Sequence, residues 1–102
     1  AVGNDYGYEY SFSKQIEALG RSQDIALGIS TSGNAKNVLE AVSTARQMKI
    51  RTIGLAGKGG GKLAKACDLA LIVPSDSTAR IQEAHIVIIH LLCELIEEAF
   101  VK

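Results

Sequence analysis

Three hydroxyl side chains stand together at residues 30–34, in the order Ser-Thr-Ser-Gly-Asn. The apolar run before them, at residues 25–29, is typical of a strand buried on both faces. After them, apolar residues recur at the spacing of a helix: Val38, Leu39, Val42, Ala45 and Met48. A strand that turns into a helix directs unpaired backbone N–H groups and the positive end of the helix dipole at one point.

Such a turn suits phosphate, because hydroxyl and backbone N–H groups donate hydrogen bonds to phosphate oxygens. We therefore predict a substrate-binding phosphate site formed by Ser30, Thr31, Ser32 and Asn34. The alternative is an ordinary polar turn in which a serine or asparagine caps the following helix. Residue types alone do not decide between the two, since many turns that bind no phosphate look similar.

A second polar group lies within a long apolar segment, residues 79–101, that we predict to be helical. Its members are Gln82, Glu83, His85 and His90. At 3.6 residues per turn, Glu83 and His90 lie nearly in line and Gln82 about 80° from His90, so these three can face one cleft. A polar side chain in such a helix needs a partner or a cavity. A hydrogen-bonded core histidine is therefore the alternative for His90, and the favoured interpretation for His85.

The same helix is apolar around most of its circumference, which indicates burial on all sides. One sheet in a chain of 102 residues cannot cover it alone. We expect its outer face to pack against another subunit or another segment of the chain.

The remaining segments alternate between strand and helix. Strands are predicted at residues 24–29, 51–56 and 68–73, and helices at 9–19, 34–48, 62–67 and 79–101. This alternation predicts a three-layer α/β/α fold with a parallel sheet, formed by one domain over residues 1–102. The glycines at 57–61 fit neither the P-loop nor the dinucleotide fingerprint. We therefore predict a flexible turn into a short helix, with direct contact to a ligand as the alternative.

Composition excludes several classes of partner. Eleven basic and eleven acidic residues leave no net charge, which argues against nucleic acid and acidic membranes. No apolar run reaches the ~20 residues that span a bilayer. Cys67 and Cys93 are predicted to be reduced core residues, which indicates a cytoplasmic protein. Neither a two-histidine nor a Cys/His zinc spacing is present.

Four motifs in this order resemble the sugar-isomerase (SIS) family: NDYGY at residues 4–8, ISTSGN at 29–34, GGGKLA at 59–64 and RIQEAHIVIIH at 80–90. The resemblance is greatest to members that isomerise sedoheptulose 7-phosphate to D-glycero-D-manno-heptose 7-phosphate. It implies a flavodoxin-like SIS domain of which this chain is the C-terminal portion. The N-terminal helices and first strand of the family, with a catalytic glutamate, precede NDYGY and are absent here.

The resemblance also implies residue roles. Substrate-binding positions match Asn4, Asp5, Ser30, Thr31, Ser32, Asn34 and Gln82. From residue types alone, Asp5 is instead favoured as a cap of the following helix. Catalytic positions match Gln82 and His90, which in zinc-binding members are also metal ligands, so Zn²⁺ is an implied cofactor. The implied reaction passes through an enediol, and an imidazole suits proton transfer at neutral pH.

Two departures and one alternative function follow from the same resemblance. Ala35 replaces a serine that often contacts the phosphate, which should weaken phosphate binding by ~1 kcal/mol. Without the catalytic glutamate, we expect the 102 residues alone to have little isomerase activity, whereas a longer parent is expected to be an active homotetramer. The alternative is a non-catalytic SIS protein that binds the replication initiator or senses sugar phosphates; the initiator-binding type lacks the histidine matched by His90.

Overall fold

The structure is a computed structural model that describes residues 10–101, and the side chains of residues 10–100. Its elements are α1 (Ser11–Leu19), β1 (Ile25–Ser30), α2 (Lys36–Gln47), β2 (Arg51–Gly57), α3 (Gly61–Ala66), β3 (Leu69–Val73) and α4 (Thr78–Val101). Every predicted element is present in the described range, with ends that differ from the prediction by at most two residues.

The three strands form a parallel sheet in the order β1-β2-β3. Helices α2 and α3 pack on one face, where Gly28 of β1 pairs with Gly54 of β2. A Cβ added at Gly54 would lie only 2.9 Å from the sulfur of Cys67, so the missing side chain allows the close approach of α3. Helix α4 packs on the opposite face, against β2 and β3. The predicted three-layer α/β/α arrangement is confirmed.

The prediction that β1 is buried on both faces is wrong in this chain. Ile25, Leu27 and Ile29 are 64%, 40% and 41% exposed. They share a face with Leu55, which pairs with Ile29 across the sheet and is fully buried. The reason is coverage: α4 contacts β2 and β3 on this face, and among residues 10–101 no element shields the corresponding row of β1.

Helix α4 is also less covered than its composition predicts. Ile81 and His85 are buried, but six large apolar residues on the helix are more than half exposed: Ile86, Val87, Leu91, Leu95, Ile96 and Phe100. One sheet indeed does not cover this helix, as expected. Cys67 lies in the core, whereas Cys93 is exposed on α4, so the prediction of a core position for Cys93 is wrong. Among residues 10–101, none of the helices combines the length and apolar character that a membrane crossing requires.

A polar contact ties the start of β2 to the residue before β3. The side chain of Thr52 is 1% exposed. Asp68 Oδ2 accepts hydrogen bonds from the Thr52 N–H at 2.8 Å and from its hydroxyl at 3.1 Å, and the Asp68 N–H donates to Thr52 Oγ1 at 3.0 Å. Arg46 adds an ion pair to Asp68 at 3.3 Å. The contact therefore fixes β3 beside β2 and satisfies the buried threonine.

This contact predicts how stability depends on pH. The hydrogen bonds from the Thr52 N–H and hydroxyl lower the pKa of Asp68 from its ordinary value of 3.8. The stabilisation is therefore complete above pH 3.8 and is lost as pH falls through the lower pKa of the folded state. We expect Asp68→Asn to be less stable than the native chain at neutral pH, and to lose less further stability on acidification. Urea unfolding between pH 2.5 and 7, with Asp76→Asn as control, measures this; parallel curves for the native chain and Asp68→Asn would contradict it.

Candidate phosphate site

The residues 30–34, which we call the serine loop, continue β1 at its carboxyl end. Ser30 is buried, and its Oγ accepts hydrogen bonds from the N–H groups of Gly33 at 3.1 Å and Ala35 at 3.3 Å. These two bonds occupy the acceptor capacity of the Ser30 hydroxyl and leave its proton as a donor. Ser30 thus shapes the turn, and it can contribute to a phosphate site only by donating.

The other two hydroxyls lie nearer the surface. Ser32 is exposed, and its Oγ accepts the N–H of Asn34 at 3.1 Å. Thr31 is half-buried. Helix α2 then begins at Lys36 with Ala35 as its N-cap, in an extended conformation and with no side-chain capping hydrogen bond. The alternative in which a serine or asparagine caps this helix is therefore wrong. The first helical turn begins directly after the hydroxyls. Its Lys36 and Asn37 N–H groups have no backbone acceptor within the helix, whereas the Val38 N–H donates to Asn37 Oδ1 at 3.0 Å.

Gly33 is at the closest approach between the serine loop and residues 57–61, which we call the glycine loop. Its φ of +76° is in the left-handed region, and an added Cβ would overlap the carbonyl oxygen of Gly60. Gly61, with φ +58°, faces the serine loop from the other side, where an added Cβ would lie 2.7 Å from the Ser32 carbonyl oxygen. Both positions require glycine because the two loops touch through their backbones.

Hydrogen bonds join the same two loops and the start of α3. The Leu63 N–H donates to the Gly33 carbonyl at 2.8 Å, and the Lys62 N–H donates to Asn34 Oδ1 at 3.0 Å. The Gly57 N–H donates to the Thr31 carbonyl at 3.0 Å. The sequence predicts a flexible turn here, with direct ligand contact as the alternative; in the structure the glycine loop contacts and supports the serine loop. Its three consecutive glycines were the sequence signal for this contact, but they did not show which backbone approaches them.

The start of α4 lies at the same edge of the sheet. Ile81 is fully buried and lies where a side chain on Gly57 would be. His85 is 3% exposed, and its Nε2 is 2.9 Å from the carbonyl oxygen of Ala56, the residue that pairs with Ser30 across the sheet. The prediction of a hydrogen-bonded core histidine is therefore confirmed for His85.

The predicted catalytic side chains of α4 are at the surface of the chain. Gln82, next to Ile81, is exposed, as is His90. The alternative of a buried core histidine for His90 thus does not hold in this chain. His90 lies five residues beyond His85, about 7.5 Å further along the helix axis. Glu83, predicted to share their cleft, is paired with Arg80 at 2.9 Å. The catalytic roles of Gln82 and His90 stay predictions.

The described residues do not complete a zinc site. Within residues 10–101 no group of three or more His, Cys, Asp or Glu side chains could hold a metal ion. Gln82 and His90 would supply two ligands of the four that a protein-bound zinc usually has. Zinc therefore stays a prediction, and no step below depends on it. The predicted sugar contacts Asn4 and Asp5 lie outside the described residues.

Comparison with known proteins places this geometry in a family. Residues 4–102 match the model of the SIS domain. The chain is 58% identical over 100 residues to phosphoheptose isomerase 1 of Campylobacter jejuni, with 98% of this chain and 54% of the relative covered. It is 56% identical to the phosphoheptose isomerase of Helicobacter pylori strain P12, covering 98% and 52%.

Solved structures agree with the fold. The phosphoheptose isomerase GmhA of Neisseria gonorrhoeae superposes with a TM-score of 0.91 at 50% identity, covering 95% of this chain and 54% of the other. The Francisella tularensis enzyme gives a TM-score of 0.91 at 45% identity, covering 95% and 52%. This chain therefore spans about half the length of the relatives that it matches.

Proposed function

This chain belongs to the SIS domain family, and from that membership we propose that it is the phosphate-binding part of a phosphoheptose isomerase. The proposed reaction converts sedoheptulose 7-phosphate to D-glycero-D-manno-heptose 7-phosphate through an enediol. Relatives named phosphoheptose isomerase support the proposal at 56–58% identity. The chain spans about half of their length. We therefore propose the isomerase activity for the whole protein, and phosphate binding for this chain.

The serine loop is the observation that carries this proposal. Its hydroxyls stand at the carboxyl end of β1, where parallel α/β sheets bind their ligands. Ser32 is exposed and Thr31 half-buried, Ser30 retains a proton to donate, and α2 begins without a side-chain cap. A phosphate dianion would accept from the hydroxyls and from the first N–H groups of α2, and the helix dipole would favour its charge.

In the proposed mechanism the loop holds the phosphate end of the sugar while α4 acts at the other end. A base removes the proton beside the carbonyl, and an acid moves protons between the two oxygens. We assign acid–base transfer to His90, because an imidazole exchanges protons near neutral pH. Gln82 would hold the sugar oxygens. The base itself would come from a segment before residue 4, because Glu83 does not match the catalytic glutamate that the resemblance implies.

The proposal extends to assembly, cofactor and compartment. A homotetramer would cover the exposed apolar residues of α4, among them Leu91, Leu95 and Phe100. Sedimentation of the protein measures its oligomeric state, and a monomer at micromolar concentration would contradict this part of the proposal.

Zinc would bind through Gln82 and His90 with ligands from elsewhere, and metal analysis of the purified protein tests this. A cytoplasmic location accords with two free cysteines, and cell fractionation tests it.

Titration of this chain with inorganic phosphate and with sedoheptulose 7-phosphate tests the site. At 100 times its dissociation constant, a ligand should raise the free energy of unfolding by about 2.7 kcal/mol. Ala35→Ser should strengthen binding about fivefold by restoring one hydrogen bond, and it should also stabilise the unliganded chain because serine is a better N-cap than alanine. Ser32→Ala should weaken binding. Ser43→Ala, an exposed serine further along α2, is the control. If the chain has the same unfolding midpoint in phosphate as in sodium chloride of the same ionic strength, the proposal is contradicted.

A further inference from the structure

Asn34 is the last residue of the serine loop, and its side chain points across to the neighbouring loop. Its Oδ1 accepts the Lys62 N–H at 3.0 Å, and its Nδ2 is 3.5 Å from the Ser32 carbonyl oxygen. Its own N–H donates to Ser32 Oγ at 3.1 Å. The acceptor oxygen of Asn34 is therefore directed at the start of α3.

The group that Asn34 reaches is one that α3 itself leaves without an acceptor. Lys62 is the second residue of α3, so its N–H has no partner within the helix. Beside it, the Leu63 N–H donates to the Gly33 carbonyl at 2.8 Å. Two adjacent N–H groups of α3 are thus bound by two adjacent residues of the serine loop.

We propose that Asn34 is a positioning residue, which holds the serine loop in its phosphate-binding shape by fastening it to α3. This rests on the function proposed above. It assigns Asn34 a different role from the substrate contact that the sequence predicts. The Asn34–Lys62 and Gly33–Leu63 bonds together form what we call the α3 clamp.

The clamp matters because it holds Gly33 and Asn34, the residues that directly follow the exposed Ser32. Ser30 braces the loop from within, and the Thr31 carbonyl accepts one N–H from Gly57. Ser32, the exposed hydroxyl, makes its side-chain bond only to the Asn34 N–H among the described hydrogen bonds. Loss of the Asn34–Lys62 bond would therefore also let Ser32 move. A loop that is mobile before binding must be ordered by the ligand, and this ordering lowers the affinity.

The two ends of the Asn34–Lys62 bond can be removed separately. Asn34→Ala removes the acceptor. Lys62→Pro removes the donor without altering Asn34, at a position in the first helical turn where proline is accepted. Lys62→Ala is its matched control, because it removes the side chain and its charge but keeps the N–H. Gln47→Ala is the control for Asn34, because Gln47 carries an exposed amide side chain at the opposite end of α2.

The probe is inorganic phosphate, titrated into the full chain by calorimetry. We expect Asn34→Ala and Lys62→Pro each to weaken phosphate binding about fivefold, the effect of one hydrogen bond. Combining them should add nothing further, because both break the same bond. The phosphate affinities of Lys62→Ala and Gln47→Ala should stay within twofold of that of the native chain. The unfolding midpoint without phosphate should change little in Asn34→Ala, since Asn34 is exposed.

Amide exchange gives a second measurement that needs no substitution, because proline also restricts the preceding Gly61. If the clamp raises the affinity for phosphate, bound phosphate must stabilise the clamp by the same factor. Saturating phosphate should therefore slow exchange of the Lys62 amide by about fivefold, while the Asp24 amide, bonded to the Arg21 carbonyl at 2.9 Å in a distant turn, exchanges as before.

The outcomes separate the two proposals. One outcome is that Asn34→Ala binds phosphate more weakly than the native chain, while Lys62→Pro and Lys62→Ala both bind it with native affinity. Asn34 would then be a direct ligand, and the positioning role would be overturned. Native affinity in Asn34→Ala, or an unchanged Lys62 amide, would overturn it as well while leaving the phosphate site in place. A native chain that does not bind phosphate would overturn both.

Discussion

Gly33→Ala is expected to destabilise the chain by about 2–5 kcal/mol and to abolish phosphate binding. The substitution would place a Cβ on a residue whose φ is +76°, and that Cβ would overlap the Gly60 carbonyl oxygen. Relief requires the serine loop and the glycine loop to separate. Separation would break the bond from the Leu63 N–H to the Gly33 carbonyl.

Gly59→Ala is the matched control for this prediction. Gly59 belongs to the same glycine loop, but an added Cβ there meets no atom within 4 Å and its φ is not in the left-handed region. Urea unfolding and a phosphate titration of both variants would be compared with the native chain. Gly33→Ala with native stability and native phosphate affinity would show that the contact between the two loops is unimportant.

His90→Gln is expected to lower kcat for sedoheptulose 7-phosphate by at least about 100-fold, the usual contribution of an acid–base residue. Phosphate affinity should change less than twofold, because the proposed mechanism assigns His90 to the reacting end of the sugar and the serine loop to its phosphate end. The measurement is made on the longest product of the gene and on this chain, because the resemblance implies a catalytic glutamate before residue 4. We expect little turnover from this chain alone.

The control for His90 is Glu94→Gln, an exposed polar substitution one helical turn further along α4. Turnover of His90→Gln within a factor of two of the native protein would contradict the catalytic role. Such a result would favour the non-catalytic alternative, in which the domain senses sugar phosphates or binds the replication initiator and His90 has no catalytic role. Equal turnover in this chain and the longer product would refute the need for an external base.

The positions of the helices and strands could be predicted from local patterns. An apolar strand, a polar turn and an amphipathic helix each show in the pattern of consecutive residues. The positions of β1, the serine loop and α2 were therefore recognisable without a structure, although the burial of β1 was not. The core role of His85 followed from the same logic, because a polar residue in an apolar helix needs a partner. The identity of that partner, the Ala56 carbonyl, did not.

Features that depend on contacts between distant parts of the sequence were decided only by the tertiary structure. Asn34 and Lys62 are 28 residues apart, and nothing in either segment shows that the parallel register brings them together. The exposure of β1 likewise depends on which strands α4 covers, which composition cannot report. Sequence alone determined that a row of hydroxyls precedes a helix. The fold decided that the glycine loop supports the serine loop and that Asn34 points to α3, because each of these is a contact between segments that are distant in sequence.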